Sequence, residues 1–125
     1  DSHTCTHVRL NEISSNSEQL HEEIQASKKD LELILNQEVK HFAYPFGLHD
    51  KASVTAVKKA GYKTACSTRS GFNRSGVDPL QLRRIEVYGG DNMWHFRQKL
   101  KFGVNDMPYT FPIKYYATQM MKKIT

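Results

Sequence analysis

Two histidines near the start of the chain have the residue type and spacing of a metal-ligand pair. His3 and His7 stand four positions apart in the segment DSHTCTH. Imidazole binds zinc and neighbouring transition metals, and a catalytic metal needs a further protein ligand while one position stays open for water. The chain has six histidines, so a pair at this spacing also arises by chance. Spacing alone leaves a metal site and two surface histidines both open.

Amphipathic helices are predicted around these residues by apolar side chains at helical spacing. The first spans 17–36 and starts with a serine N-cap followed by acidic residues. The second follows Asp50 as N-cap and ends at Gly61, and the third lies in NMWHFRQKLK, 92–101. The residues that form the apolar stripes are Leu20, Ile24, Leu31, Ile34, Leu35, Val54, Val57, Met93, Phe96 and Leu100.

Short strands are predicted between the helices, at 39–44, 62–67 and 82–87, with a long loop rich in Gly, Ser and Asn at 68–79. Strands that alternate with helices predict parallel βα units, in which functional groups gather on the loops after the strands. A last helical pattern, from Ile113 through Tyr116 and Met120 to Ile124, predicts a tail that packs on the fold rather than binding a partner.

The composition limits the classes of function. With 125 residues the chain fits one domain. Lys and Arg outnumber Asp and Glu by 18 to 13, but they are scattered rather than arranged in a stripe, so we expect a solvated surface and no nucleic-acid partner. No apolar run is long enough for a membrane helix, and no signal sequence is recognisable. Cys5 and Cys66 lack metal-site spacing and are predicted to be free and partly buried.

The residues around the histidine pair resemble a known family. The segment SHTCTH is similar to the His-Ser/Thr-x-x-His motif of the polysaccharide deacetylases, the NodB-homology carbohydrate esterases. The resemblance continues in order through HFAYPFG, KKAGYKTACST, SGFNRSGVDP and LRRIEVYG, and it covers about residues 1–101. Several linked motifs are more specific than one, and together they favour the metal site.

The resemblance implies an α/β fold, a partial (β/α) barrel of parallel strands alternating with helices. It implies metal-dependent hydrolysis of N-acetyl groups on a polysaccharide, with a divalent cofactor, most simply zinc. His3 and His7 would be metal ligands and Thr4 would support their loop. The backbone N–H of Phe46 would stabilise the oxyanion, and Tyr44, Pro45 and Phe46 would contact the glycan.

The sequence departs from the family pattern at two places. Ala43 stands where many members carry an arginine that pairs with the catalytic aspartate, so a later arginine, Arg84 in preference to Arg83, is the candidate replacement. The adjacent aspartates that supply the general base and the third ligand in the family are absent, and no histidine is identified as general acid. We therefore expect 1–104 to be the C-terminal part of a catalytic domain, 105–125 to be a tail, and the chain alone to be inactive.

Other functions stay open on the sequence. The same fold could act as a non-catalytic carbohydrate-binding remnant through aromatic residues around Tyr44, Phe46 and Trp94. A basic module that binds anionic polymers and an amidohydrolase acting on a non-sugar amide are further alternatives. The family resemblance also implies an extracytoplasmic location.

Overall fold

The computed structural model describes residues 1–105 and 111–124, and it divides the chain into two compact units. The first unit is Asp1–Arg84 and the second is Ile85–Thr125. The expected boundary between 104 and 105 falls inside the second unit. Residues 106–110 and 125 of the predicted tail, and the side chain of Ile124, lie outside the described residues.

The first unit is built from parallel βα units. Its elements are helix α1 (Ser17–Leu35), strand β1 (His41–Ala43), helix α2 (Lys51–Lys59) and strand β2 (Thr64–Cys66), with short 3₁₀ turns at Pro45–Gly47 and Pro79–Gln81. Strand β1 pairs in parallel with β2, with His41 opposite Thr64. Isolated parallel bridges add Ser2 beside Phe42 and Leu82 beside Cys66. Four segments thus lie side by side in chain order, which confirms the predicted α/β fold with parallel strands.

Local capping explains where the helices begin. The side chain of Asp50 accepts a hydrogen bond from the Ser53 N–H at 2.8 Å, and the Ser53 hydroxyl oxygen accepts one from the Asp50 N–H. The predicted N-cap of α2 is therefore confirmed as a capping box. In α1 the cap is Asn16, whose side chain accepts the Gln19 N–H at 3.1 Å. The predicted serine cap is therefore wrong by one residue, because asparagine fills the same role equally well.

An apolar core lies among these elements of the first unit. Its buried residues are Leu10, Leu20, Ile24, Val39, Phe42, Tyr44, Val57, Ala60, Tyr62, Ala65 and Leu80. The apolar stripe of α1 is buried at Leu20 and Ile24, but Ile34 and Leu35 are 79% and 49% exposed. Hydrophobic periodicity located this helix correctly, yet it did not tell which of its turns packs on the sheet.

The predicted strand at 82–87 is wrong beyond its first residue. Only Leu82 makes a bridge, and no strand follows it in the described chain. At Arg83 the side chain of Asn73 accounts for the difference. Its oxygen accepts the Arg83 N–H at 2.9 Å, and its amide nitrogen donates to the Arg83 carbonyl at 2.9 Å. A side chain from the loop thus takes the bonds that a neighbouring strand would otherwise make.

The described residues of the second unit form two helices, α3 (Met93–Phe102) and α4 (Phe111–Ile124), both of which were predicted. The apolar stripe of α3 is mostly exposed, whereas Lys99 on the same helix is 2% exposed. Its Nζ donates to Asp91 at 2.5 Å and to the Glu86 carbonyl at 3.0 Å. Among the helices in the described ranges, none has both the length and the apolar character needed to cross a membrane.

Candidate metal centre

Three loops meet at the carboxyl ends of the parallel segments of the first unit, as the βα pattern predicts. The loop of His3 and His7 follows the Ser2 bridge, the 44–50 loop follows β1, and a long loop follows β2. The ring of His3 contacts the Ala43 carbonyl, and the Thr68 hydroxyl donates to the Phe46 carbonyl at 3.4 Å. Side chains of the first and third loops therefore bond to carbonyls at the end of β1 and in the loop that follows it, which brings the three loops into one site.

His3 and His7 lie side by side on the surface, with ring centroids 4.8 Å apart. The His3 Nδ1 is 2.7 Å from the Ala43 carbonyl oxygen. A carbonyl oxygen only accepts, so Nδ1 carries the hydrogen and, in the neutral ring, Nε2 keeps a free lone pair. Metal-binding histidines are commonly oriented in this way, by a backbone carbonyl that accepts the hydrogen of the other ring nitrogen. The donor chemistry of the pair thus fits a divalent metal such as zinc.

The backbone of this site is strained. Thr4, His7 and Phe46 have φ angles of 65°, 59° and 56°, in the left-handed region that favours glycine. The described chain has one other such non-glycine residue, Asn36, at the end of α1. Each position of this kind costs about 1–3 kcal/mol and is concentrated at functional sites. The Thr4 hydroxyl accepts the His7 N–H at 3.1 Å, the kind of contact that a supporting role for Thr4 requires.

An aromatic surface adjoins the histidines. The Phe46 ring is 47% exposed and lies 4.6 Å from the His7 ring, and the Arg9 guanidinium lies 4.6 Å from the Phe46 centroid. Arg9 was not identified from the sequence. Tyr44 and Pro45 are buried instead. The Tyr44 hydroxyl donates to the Leu80 carbonyl at 2.9 Å, and burial raises the pKa of this phenol. Of the three residues predicted to contact glycan, only Phe46 presents an exposed side chain.

The two candidate arginines occupy different surroundings. The Arg84 Nε donates to the Ser67 carbonyl at 2.8 Å, which places this guanidinium just beyond β2, on the side of the three loops. Arg83 lies against Gly71, since a Cβ added to that glycine would come within 2.8 Å of the Arg83 side chain. Both arginines thus contact the segment that follows β2, and the partnership of Arg84 with a carboxylate stays a prediction.

Glu23 is a residue of the site that sequence reasoning missed. From α1 its carboxylate accepts the N–H groups of Cys5 and Thr6 at 2.9 and 3.0 Å, and the Thr6 hydroxyl at 2.6 Å. The available signal was an acidic residue between Leu20 and Ile24 on the apolar stripe of the helix. Such a position buries a charge, and a buried charge needs partners.

The remaining candidate ligands do not complete a metal site. Among the residues that the structure describes, no three His, Cys, Asp or Glu side chains form a metal-binding group. Both cysteines are free, as predicted, but Cys5 is exposed rather than partly buried. Desolvation and the nearby Glu23 carboxylate raise the pKa of the Cys5 thiol, so the neutral form is favoured. Two imidazoles are therefore the ligands that the described residues bring together.

Comparison with solved structures finds the same fold in deacetylases. The deacetylase PplD of Streptococcus pyogenes, solved in complex with acetate, matches with a TM-score of 0.70 and 25% identity over 77% of this chain and 42% of that protein. A polysaccharide deacetylase from Bacillus cereus matches with a TM-score of 0.69 and 34% identity over 80% of this chain and 31% of that protein. The chain thus spans less than half the length of these two structures.

Sequence comparison agrees with the structural one. No curated protein matches the chain. A model of the polysaccharide deacetylase family matches residues 1–65, which include the histidine loop, α1, β1 and α2. The long loop after β2 and the LRRIEV segment lie beyond this match. Since the match covers more than half of the 125 residues and the fold agrees, the chain belongs to the polysaccharide deacetylase family.

Proposed function

We propose that the site around His3 and His7 binds a divalent metal, most simply zinc, and serves the hydrolytic removal of N-acetyl groups from a polysaccharide. The observation that carries this proposal is the histidine pair itself. The two rings lie 4.8 Å apart, and the contact of His3 Nδ1 with the Ala43 carbonyl leaves Nε2 as a ligand. When bound, a divalent metal supplies an activated water and polarises the amide carbonyl of the substrate.

Phe46 and Arg84 would have separate roles in the reaction. The Phe46 N–H would donate to the oxyanion that forms from the acetamide carbonyl, and one such donor contributes about 3 kcal/mol in the transition state. The exposed Phe46 ring offers an apolar face to the sugar. Arg84 would hold an aspartate beside the site, in place of the arginine that Ala43 replaces. Family membership and the acetate bound to the S. pyogenes relative support this assignment.

The third metal ligand and the general base require aspartates that the 125 residues do not supply as an adjacent pair. We therefore propose that the chain alone holds metal weakly and turns over no substrate. Activity belongs to a protein in which two aspartates complete the site. Its substrate, an N-acetylated glycan, and its extracytoplasmic location are proposed from the family.

A zinc titration of this chain, monitored by the ring-proton NMR signals of the histidines, tests the ligand assignment. We expect His3→Ala and His7→Ala each to abolish the response to zinc. His21→Ala is the matched control, because it removes an exposed histidine from α1. Equal zinc binding in all three variants would contradict the assignment. Turnover of chitooligosaccharides by the chain alone would contradict the proposed lack of activity.

A non-catalytic carbohydrate-binding role is the second candidate, and the exposed Phe46 ring with Arg9 against it favours this role. Such a surface could hold a sugar without any metal. Binding of chitooligosaccharides that survives both His3→Ala and His7→Ala, but is lost in Phe46→Ala, would favour this role over the metal-dependent one.

A further inference from the structure

Glu23 is a buried acid within the apolar stripe of α1. Its side chain belongs to a residue that is only 8% exposed, and its helical neighbours Leu20 and Ile24 are part of the core. A carboxylate in such a position is costly unless its oxygens accept hydrogen bonds. The identity of its donors therefore indicates what the residue does.

Among the described residues, the hydrogen-bond donors to this carboxylate come from the stretch between the two histidines. One oxygen accepts the N–H groups of both Cys5 and Thr6, and the other accepts the Thr6 hydroxyl at 2.6 Å. Hydrogen bonds to a charged acceptor are shorter and stronger than those between neutral groups. The backbone between His3 and His7 is thereby fixed to a helix of the core.

The same stretch has a backbone that needs such fixing. Thr4 and His7, which flank Cys5 and Thr6, both have positive φ angles. Strained conformations persist only where surrounding contacts hold them. The hydrogen bond from the His7 N–H to the Thr4 hydroxyl lies within the loop, so it does not tie the loop to the core. The Glu23 carboxylate provides that connection.

We propose that Glu23 is a positioning residue of the metal centre, which holds the Cys5–Thr6 backbone so that both imidazoles face one metal. The inference rests on the proposed function for the metal, but the hold on the loop exists without metal and is measured separately. Residues that orient metal ligands typically change metal affinity by 10- to 100-fold when they are replaced.

The test compares Glu23→Ala and Glu23→Gln with Glu22→Ala in the 125-residue chain. Glu22 is the exposed neighbour on the same helix, so its replacement makes the same change in charge without touching the loop. The first readout is the amide NMR signals of Cys5 and Thr6 and their hydrogen exchange in metal-free protein. The second is the affinity for zinc.

In Glu23→Ala we expect shifted, faster-exchanging Cys5 and Thr6 amides and zinc binding at least tenfold weaker. Glu22→Ala should match the unaltered chain in both measurements. Glutamine keeps one oxygen for the two N–H groups, so Glu23→Gln should lie between the alanine variant and the unaltered chain. If Glu23→Ala does not fold, Glu23→Gln provides the test. Its Cys5 and Thr6 amide signals and its zinc affinity must then differ from those of the unaltered chain.

Unchanged zinc affinity and unchanged loop amides in a folded Glu23 variant would overturn the inference. This result differs from a failure of the proposed function, in which the unaltered chain and its Glu22→Ala variant would bind no zinc through His3 and His7. Shifted loop amides with unchanged zinc affinity would also overturn the positioning role, because the loop would then be held without consequence for the metal.

Discussion

The two units of the chain differ in their apolar core, since the buried apolar side chains of the described residues all lie in the first unit. The first unit packs an apolar core that includes Phe42, Tyr44 and Tyr62, with neighbouring rings about 5 Å apart. In the second unit, the one nearly fully buried side chain among the described residues is Lys99, which pairs with Asp91, while Met93 and Leu100 are more than half exposed. Two imidazole rings keep fixed positions only on a rigid scaffold. The loop of His3 and His7 lies on the first unit, which has the apolar core.

The largest expected effect is in that core. Phe42 is 1% exposed, so Phe42→Ala should lower the free energy of unfolding by about 3–5 kcal/mol through lost burial and a cavity. Denaturant unfolding, with amide exchange of β1 and β2, measures this loss. Phe72→Ala makes the same change at a ring that is 42% exposed and should cost much less. Similar losses for both variants would contradict the assignment of the core.

A smaller effect is expected where the loop after β1 touches the loop after β2. Gly47 has a φ of 69°, and an added Cβ would overlap the side chain and backbone nitrogen of Thr68. Gly47→Ala should therefore cost more than about 1 kcal/mol and displace the Phe46 loop. Gly61→Ala is the control, because Gly61 also has a positive φ but faces open space. If the two variants lose the same stability in thermal unfolding, the contact with Thr68 has no energetic weight.

The ion pair of the second unit should make its stability depend on pH. The hydrogen bond from Lys99 holds the pKa of Asp91 below its ordinary value. The unfolded chain then takes up this proton at a higher pH than the native one, so the stabilisation is present above about pH 4 and is lost as the pH falls through the native pKa. The protection of the α3 amides from exchange, relative to the intrinsic exchange rate at each pH, should fall over that range. Asp91→Asn should remove this pH dependence, and an unaltered acid profile in that variant would contradict the prediction.

The smallest effect is expected on the exposed side of α3. Leu100 is 52% exposed, so Leu100→Ala should change stability by no more than about 0.5 kcal/mol. Leu20→Ala, the same substitution at a residue of the first unit that is 4% exposed, should cost about 2–5 kcal/mol. Urea unfolding of the two variants compares the units directly. A large loss of stability in Leu100→Ala would contradict the exposed position of this side chain.

Local signals in the sequence located the helices, because capping and helical periodicity involve residues that are close along the chain. Asp50 identified the start of α2, and the periodic leucines and isoleucines identified α1. The strand predicted at 82–87 was wrong beyond Leu82, and at Arg83 the hydrogen-bond partner is the side chain of Asn73, ten residues away. Strand formation requires a partner, and nothing within 82–87 tells that a side chain will take the partner's place.

The features of the candidate site also divide into those that the sequence identifies and those that only the structure identifies. The sequence by itself determined the histidine spacing, the order of the family motifs and the parallel α/β fold. Only the tertiary structure decided that Tyr44 belongs to the core, that Arg9 lies against Phe46, and that Glu23 holds the loop between the histidines. Residue type and spacing carry information about chemistry, whereas burial and hydrogen-bond partners arise from segments that meet only when the chain folds.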